Sequence, residues 1–381
     1  MTAHLARGQK PDIIDSMTVE RLQRLQERAA RDGLDCVALV PGANLLYLTG
    51  LSFHLSERPV VAFFPVDAPP AILLPALEVP KLETALCALD PFPYTDEEGP
   101  ALAFHQASVA LELAEARIGV EGLRMRLMEA RYLERYAPGC ELVSADDVLS
   151  DLRARKDARE VDQMRRAVDV VETALRATLD QIEIGMTERE VAGVLMAEIL
   201  HAGGEGVPFE PIVVAGPNAA SPHARPSDRP IRAGETIVID CGAVVGGYAS
   251  DITRTVALEN LPEEMVRVYE VVREANAAGR ERAGPGVAAE EVDRAARAVI
   301  EAAGYGEFFI HRTGHGLGLE VHEPPYIVAG NQEPLQPGMT FTVEPGIYLP
   351  GKGGVRIEDD VLITPTGAES LTTFPRDLIV L

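Results

Sequence analysis

Two aspartates within an apolar hairpin are the first residues of this sequence whose types and spacing could support chemistry. The stretch VIDCGAVVGGYASDITRTV (238–256) predicts two β-strands joined at Gly246-Gly247, with Asp240 and Asp251 among Val, Ile, Cys and Ala. Buried carboxylates are normally paired, protonated or bound to a metal, because an unpaired buried charge is costly. One of these three explanations must apply here.

The register of the hairpin decides where the two carboxylates point. If Gly246-Gly247 forms a two-residue turn, Asp240 faces Thr253 and Asp251 lies diagonally across from Asp240. Both side chains then project from one face, with Cβ atoms under about 8 Å apart, and that separation suits intervening cations. The alternatives at this point are a single carboxylate near Arg254, or two solvated aspartates on an exposed face.

Three motifs further along the chain carry ionisable residues in glycine-rich or apolar contexts: HRTGHGLGLEVHEPP (311–325), TVEPGIY (342–348) and GGVRIEDDV (353–361). One imidazole and four carboxylates make a hard, oxygen-rich ligand set, which favours Mn²⁺, with Co²⁺, Zn²⁺ or Fe²⁺ as substitutes. Five ligands exceed the need of one ion, so we expect two ions that share carboxylates. The candidate ligands are Asp240, Asp251, His315, Glu344 and Glu358.

Composition excludes several classes of protein. The net charge of -24 argues against a nucleic-acid-binding surface, which needs clustered Lys and Arg. The most apolar region, which begins at Val60, is interrupted by prolines and cannot cross a membrane as a helix. The 4 cysteines are widely spaced and the N-terminus lacks the apolar core of a signal peptide, so we expect reduced thiols and a cytoplasmic protein.

The elements that must position these residues predict two domains after an irregular tail. A chain of 381 residues is too long for one ordinary core. Residues 1–16 are polar and read as the tail. Residues 17–152 alternate short apolar runs with helical or proline-rich segments, and predict an α/β domain. Residues 153–381 predict an α+β domain with two helix pairs and an antiparallel sheet, because strand patterns surround four helical ones.

Over roughly residues 155–381 the chain resembles the pita-bread metallopeptidases, the superfamily of methionine aminopeptidase, aminopeptidase P and prolidase. The superfamily's metal ligands occur in the order Asp, Asp, His, Glu, Glu, which matches the five candidates in type and local context. The first 150 residues, including NLLYLTGL (44–51), resemble the creatinase-type amino-terminal domain of the proline-specific branch. The implied fold is an α+β pita-bread catalytic domain that follows a creatinase-like α/β domain.

The resemblance also implies a reaction. The leading function is hydrolysis of the Xaa-Pro bond of dipeptides (prolidase) by a hydroxide that bridges two metal ions, and the alternative is an aminopeptidase P that accepts longer proline-containing peptides. Asp240 would chelate one ion, Asp251 and Glu358 would bridge both, and His315 and Glu344 would complete the other, with Glu344 also the general base. A non-catalytic peptide-binding scaffold is a third interpretation, and the family implies a homodimer.

Other ionisable residues are predicted to act beside the metal ligands. His223 and His322 match family histidines that stabilise the tetrahedral intermediate, with an ordinary loop or strand role as the alternative. His311 matches a family position where a structural role and substrate contact are equally expected. Arg356 lies two residues before Glu358, and we expect it to orient a ligand carboxylate such as Asp240.

A dipeptidase differs from an aminopeptidase in that it recognises the free C-terminal carboxylate of its substrate. Arginine suits this recognition because its planar guanidinium binds both carboxylate oxygens. The polar cluster SFHLSERP (52–59) offers His54 and Arg58 for substrate binding, with an ion pair between Arg58 and Glu57 or another acid as the alternative. The arginine that some prolidases carry between the His and first Glu motifs is absent from IVAGNQEPLQPG (327–338).

Overall fold

The computed structural model describes residues 16–381, and this part of the chain falls into two compact units. The first ends at Leu152 and the second covers Arg153–Leu381. The predicted irregular tail lies outside the described residues, apart from Ser16, at which the first helix begins. Within residues 16–381, no helix is both long enough and apolar enough to cross a membrane.

The first unit is a mixed β-sheet on which helices pack. Its helices are α1 (Ser16–Arg31), α2 (Ala43–Thr49), α3 (Ala101–Ala110), α4 (Leu127–Tyr136) and α5 (Asp146–Arg153), and its strands are β1 (Cys36–Leu39), β2 (Val61–Pro65), β3 (Ala71–Pro75), β4 (Asp90–Tyr94), β5 (Arg117–Val120) and β6 (Glu141–Ser144). The strand order is β4-β3-β2-β1-β5-β6. The proline-interrupted apolar region forms the antiparallel pair β2 and β3, with both strands fully buried, so it belongs to the core.

The second unit combines two helix pairs with antiparallel strands. Its helices are α6 (Ala158–Leu179), α7 (Glu188–His201), α8 (Glu263–Arg282) and α9 (Ala289–Ala302). Its strands are β7 (Ile212–Ala215), β8 (Glu235–Cys241), β9 (Val244–Val245), β10 (Tyr248–Ala249), β11 (Ile252–Leu258), β12 (Gly314–Gly316), β13 (Glu323–Ile327), β14 (Thr340–Val343), β15 (Gly346–Leu349), β16 (Gly353–Arg356), β17 (Asp359–Thr364) and β18 (Gly367–Ser370). The sheets are ordered β11-β8-β7 and β13-β12-β14-β17-β18, beside the pairs β9-β10 and β15-β16.

Both helices that open the second unit begin with a reciprocal cap. The Asp157 side chain accepts hydrogen bonds from the backbone N–H groups of Arg159 and Glu160, and the Glu160 carboxylate accepts one from the Asp157 N–H. Thr187 and Glu190 form a capping box at the start of α7. These caps satisfy N–H groups that have no partner inside a helix, so the sequence fixes where each helix starts.

Each helix pair packs on its own set of strands. Helices α6 and α7 bury a core with β8 and β11 that includes Leu195 and Ile239, and α8 and α9 bury one with β15 and β16 that includes Val272 and Val355. Complete burial of one such side chain is worth about 1.5–3 kcal/mol relative to exposure. The strands that carry the predicted ligands therefore rest on two well-packed cores.

The predicted hairpin is confirmed, together with its register. Gly246 and Gly247 have φ angles of +57° and +81°, which glycine adopts without strain and which a two-residue turn of this type requires. Asp240 pairs with Thr253, as the turn predicted. Asp251 lies between β10 and β11 rather than within a strand.

Candidate metal centre

The five predicted ligands occupy strands or the joints between strands of the second unit. Asp240 lies near the end of β8, and His315 is the middle residue of β12. Asp251 precedes β11, Glu344 joins β14 to β15, and Glu358 joins β16 to β17. At a joint the backbone leaves the ladder, so the direction of the side chain is no longer set by the alternation of a strand.

Three of the ligands form a compact buried cluster. Asp251, His315 and Glu358 each offer one ligand atom, and these atoms lie within 4.8 Å of one another. His315 Nε2 is 3.8 Å from Asp251 Oδ2 and 3.6 Å from Glu344 Oε1. Among the described residues, Asp251 Oδ1 is buried without a hydrogen-bond partner. A buried acceptor that no protein donor reaches suits a cation.

The charges of the cluster point to the same conclusion. Burial raises the pKa of Asp251 and Glu358 well above the ordinary value, and neighbouring carboxylates raise both further. Burial likewise raises the pKa of Glu344 to about 7. Burial, followed by the charges of His322 and Arg312, lowers the pKa of His315 to about 3, so its imidazole is neutral at physiological pH. Crowded carboxylates beside a neutral imidazole fit divalent cations, which relieve the repulsion.

Arg356 makes the predicted contact with Asp240. Its Nη2 donates to Asp240 Oδ2 at 2.5 Å, and both groups are largely buried. Its Nε donates to Thr253 Oγ1 at 3.0 Å, and Thr253 Oγ1 donates in turn to Glu358 Oε2 at 2.5 Å. One guanidinium therefore fixes Asp240 directly and Glu358 through a shared hydroxyl.

His311 belongs to the same polar chain. Burial lowers its pKa to about 4, so the ring is neutral and has one N–H. Its Nδ1 is 2.7 Å from the Arg312 carbonyl oxygen, which can only accept, so Nδ1 carries the hydrogen. Nε2 then accepts from Tyr348 Oη at 2.9 Å, and Tyr348 Oη accepts from Arg356 Nη1 at 3.0 Å. Both ring nitrogens of His311 are occupied by protein groups, which favours the structural alternative for this residue.

The metal cluster opens on a cavity of about 620 Å³ in the second unit. His223 and His322 line it, as do the apolar side chains of Phe209, Ile212 and Val321. The His322 ring meets the His315 ring edge-on, with centroids 4.2 Å apart. A cavity of this size with apolar walls and a few convergent polar groups accommodates a small peptide.

A buried glutamate that sequence reasoning missed holds the segment that carries His223. Glu188 is 0 % exposed and accepts hydrogen bonds from Ala215 N at 2.8 Å, Asn218 Nδ2 at 3.0 Å, Ser227 N at 3.0 Å and Ser227 Oγ at 2.6 Å. His223 lies between these anchoring residues. Thr187 and Glu190 already account for the helix start, so the sequence offered no separate signal for Glu188.

A second missed anchor fixes the segment of His322. Lys156 Nζ donates to Glu323 Oε1 at 2.6 Å, with the two side chains 1 % and 2 % exposed. Arg153 Nη2 is 3.2 Å from Glu323 Oε2 and 2.5 Å from Glu320 Oε2. A lysine buried this deeply requires its partner, because loss of one member of a buried ion pair costs about 3–5 kcal/mol. The network therefore fixes the backbone directly after His322.

The two substrate-binding candidates of the first unit lie on its surface. His54 is exposed. Arg58 is bound by Asp96, with Nε to Oδ1 and Nη2 to Oδ2 both at 2.7 Å, and its Nη1 is 3.4 Å from Glu57. Ion pairs thus hold the guanidinium, and the stronger partner lies 38 residues away in the sequence.

The raised pKa values predict how the metal-free protein responds to pH. Below about pH 7.5 the lowered pKa values of His311, His315 and His322 oppose this effect, because the unfolded chain still protonates these rings in part. Above about pH 7.5 the histidines are neutral in both states, and the folded chain still holds protons on Asp251 and Glu358 that the unfolded chain has released. We therefore expect the free energy of unfolding to fall as pH rises above about 7.5.

Urea unfolding of chelator-treated protein between about pH 7.5 and 9 checks this prediction. Saturating Mn²⁺ should remove the fall, because a cation binds the deprotonated carboxylates of the folded chain. Glu344→Gln should make the fall shallower only at the lower end of this range, since the lost group has a pKa of about 7. If the free energy of unfolding of the metal-free protein stays level or rises over this range, the buried carboxylates do not have raised pKa values.

Buried carboxylates and an imidazole around a cation site, open to a peptide-sized cavity, define a metal-dependent hydrolase. The model of metallopeptidase family M24 matches residues 162–365, and that of the creatinase/prolidase N-terminal domain matches residues 21–155. The chain belongs to metallopeptidase family M24, and its catalytic domain follows a creatinase/prolidase N-terminal domain. The predicted fold class is confirmed, and membership of the family implies divalent metal ions.

Relatives and solved structures resemble this chain over almost its full length. The probable dipeptidase PepE of Mycobacterium tuberculosis is 38% identical over 94% of this chain and 96% of its own. The Xaa-Pro dipeptidase of Pyrococcus furiosus is 36% identical over 94% and 99%. The crystal structure of a prolidase from Thermococcus sibiricus superposes with a TM-score of 0.92 at 37% identity, covering 96% of this chain and 99% of that one.

Proposed function

We propose that this chain is a metal-dependent Xaa-Pro dipeptidase, that is, a prolidase. The observation that carries the proposal is the buried cluster of Asp251, His315 and Glu358 beside a cavity lined by His223 and His322. The names of similar proteins, Xaa-Pro dipeptidase and prolidase, support the substrate class. Proline-containing dipeptides are therefore the proposed substrates.

Divalent cations, when bound by the five ligands, supply an acidified water and a polarised scissile carbonyl. Within the protein, Glu344 is the proposed general base, because its carboxylate lines the cavity with Oε1 3.6 Å from Nε2 of the ligand His315. His223 and His322 donate hydrogen bonds to the substrate carbonyl as negative charge develops on its oxygen. Arg356 keeps Asp240 in place, and Phe209 supplies part of the apolar wall of the cavity.

The finer assignments extend this proposal. We propose two ions per chain, with Asp251 and Glu358 shared between them. Mn²⁺ is preferred because four carboxylates and one imidazole are a hard ligand set, and Co²⁺ or Zn²⁺ can replace it. A homodimer is proposed from the family. A cytoplasmic location is supported by the free thiols of all 4 cysteines.

The test compares kcat/KM for a Xaa-Pro dipeptide, a Xaa-Pro-Yaa tripeptide, a C-terminally amidated Xaa-Pro and a Xaa-Ala dipeptide, each in Mn²⁺. We expect the free Xaa-Pro dipeptide to be cleaved best, with the Xaa-Ala control far behind. Better cleavage of the tripeptide or the amide would make the protein an aminopeptidase P. A chain that binds no stoichiometric Mn²⁺ and cleaves none of the four would be a peptide-binding scaffold.

A further inference from the structure

Arg312 is a cavity-lining cation whose charged group has no protein partner among residues 16–381. Its guanidinium carbon lies 4.7 Å from the centroid of the Tyr326 ring, and no side-chain hydrogen bond or ion pair joins it to a described residue. The other two arginines of the cavity differ. Arg356 is bound to Asp240, and Arg225 lies 3.8 Å from Glu210. Stacking on Tyr326 holds the Arg312 guanidinium in one plane and leaves its N–H groups available.

Arg312 lines the same cavity as the proposed reaction centre. That cavity, of about 620 Å³, is also lined by His315, His322 and Glu344. A dipeptide bound with its scissile bond at the metal ligands therefore lies in the cavity that the Arg312 side chain faces.

The cavity needs such a cation if its substrate is a free dipeptide. The carboxylates that line it, Asp240, Asp251, Glu344 and Glu358, are the proposed metal ligands, so none of them can serve as the partner of a substrate carboxylate. Transfer of a carboxylate from water into the cavity costs free energy unless a protein group replaces the lost hydration. A planar guanidinium donates two parallel N–H hydrogen bonds to the two oxygens of a carboxylate, and such charge-assisted pairs are among the strongest hydrogen bonds in proteins.

We infer that Arg312 binds the C-terminal carboxylate of the dipeptide substrate and so sets the preference for dipeptides. The inference rests on the proposed Xaa-Pro dipeptidase function and names the residue that determines its specificity. It also accounts for substrate selection in a chain that lacks an arginine between residues 327 and 338.

Two other arginines compete for this role. Arg58, predicted from the sequence, is already bound by both oxygens of Asp96, so it must release one carboxylate to take another. The Arg225 side chain is 84% exposed and makes a long contact with Glu210, so its rotamers are poorly restricted. Of the three arginines, only Arg312 has both a guanidinium without a polar partner among the described residues and an aromatic ring, that of Tyr326, against it.

The test measures kcat/KM for a Xaa-Pro dipeptide and its C-terminal amide with the Mn²⁺-loaded wild type and with Arg312→Ala, Arg312→Lys, Arg58→Ala and Arg225→Ala. Arg312→Ala should lower kcat/KM for the free dipeptide about 10- to 100-fold, chiefly through KM, because a charge-assisted contact is lost. The amide lacks the charge, so its hydrolysis should stay within about twofold of wild type. Arg312→Lys should restore part of the preference, while Arg58→Ala and Arg225→Ala keep it.

The amide is the internal control for folding and metal content, since it uses the same catalytic groups. Equal losses on both substrates in Arg312→Ala, or a preference that disappears in Arg58→Ala or Arg225→Ala instead, would overturn the assignment of Arg312. A wild type without any preference for the free dipeptide would overturn the proposed dipeptidase function itself. The two failures are therefore distinguishable in one set of measurements.

Discussion

Asp251→Asn will abolish hydrolysis and at the same time stabilise the metal-free protein. The substitution keeps the shape of a side chain that lies in the Asp251, His315 and Glu358 cluster, but removes its charge. Loss of a ligand that we propose to be shared between two ions should lower kcat/KM by more than about 10³-fold, equivalent to about 4 kcal/mol of transition-state stabilisation. Divalent-cation affinity should fall with it.

The gain in stability follows from the cost of protonating the Asp251 carboxyl when the metal-free chain folds at neutral pH. Burial, then the charges of Glu358 and Asp240, raise the pKa of Asp251, so its ionised form is unfavourable in the metal-free fold. Its Oδ1 is buried without a hydrogen-bond partner in the described residues. A neutral amide needs no proton in order to be buried, so the variant should be more stable without metal although it is inactive.

Asp293→Asn is the matched control, because Asp293 is buried but its charge is satisfied. Its carboxylate accepts from Arg297 through both oxygens, at 3.0 and 3.1 Å, and from Thr313 Oγ1 at 2.7 Å. The same substitution there should lower the free energy of unfolding by about 1–3 kcal/mol, with or without metal. Cation titration and urea unfolding of both variants separate the two cases. Full cation stoichiometry with retained turnover in Asp251→Asn would refute its proposed bridging role.

The sequence predicts the ligand-bearing hairpin because its geometry is local. Two adjacent glycines permit the turn, the turn fixes the register, and the register places Asp240 opposite Thr253. The start of α7 at Thr187 is predicted for a similar reason, since a capping box is contained within four residues. Features determined by neighbours in the chain can be inferred without any tertiary information.

The joint at Glu358 shows what local pattern does not predict. The run from Val355 onwards predicts one continuous strand, but the structure interrupts it at Glu358. The Glu358 N–H donates to the Thr253 carbonyl oxygen at 3.1 Å, and its own carbonyl accepts from Arg254 Nη1 at 2.6 Å. Its backbone is thus satisfied by β11, about 105 residues earlier in the chain. No motif in the sequence specifies that pairing.

The partners of arginines are equally non-local. The sequence offers Glu57 as the partner of Arg58, but Asp96 makes the stronger contact. Arg312 directly follows His311 within the histidine motif, so its position was visible, but its support is Tyr326 on β13. Long side chains reach across elements, and only the fold decides which acid or ring lies within reach.

Arg356→Lys will lower activity about 10- to 100-fold although the positive charge is kept, the usual cost of removing the group that orients a metal ligand. The guanidinium donates to separate acceptors in different directions: Asp240, Thr253, Tyr348 and the Pro222 carbonyl oxygen. A lysine ammonium is one point on a flexible stem and cannot serve all of them. Asp240 then loses its fixed orientation, and cation affinity should fall together with kcat.

Comparing stability with and without metal shows whether the effect of an Arg356 substitution comes from the lost contact with Asp240. In metal-free Arg356→Met, Asp240 is left buried without its partner, so the free energy of unfolding should fall by about 3–5 kcal/mol relative to metal-free wild type. Saturating Mn²⁺ should recover part of that loss, because the cation takes over as counter-charge.

Arg229→Lys is the control: Arg229 binds Glu235 through both oxygens in a partly buried pair, yet neither residue lines the cavity. That variant should change stability slightly and leave cation affinity unaltered. If Arg356→Lys binds Mn²⁺ as tightly as wild type and turns over normally, the orientation of Asp240 does not depend on the guanidinium fork.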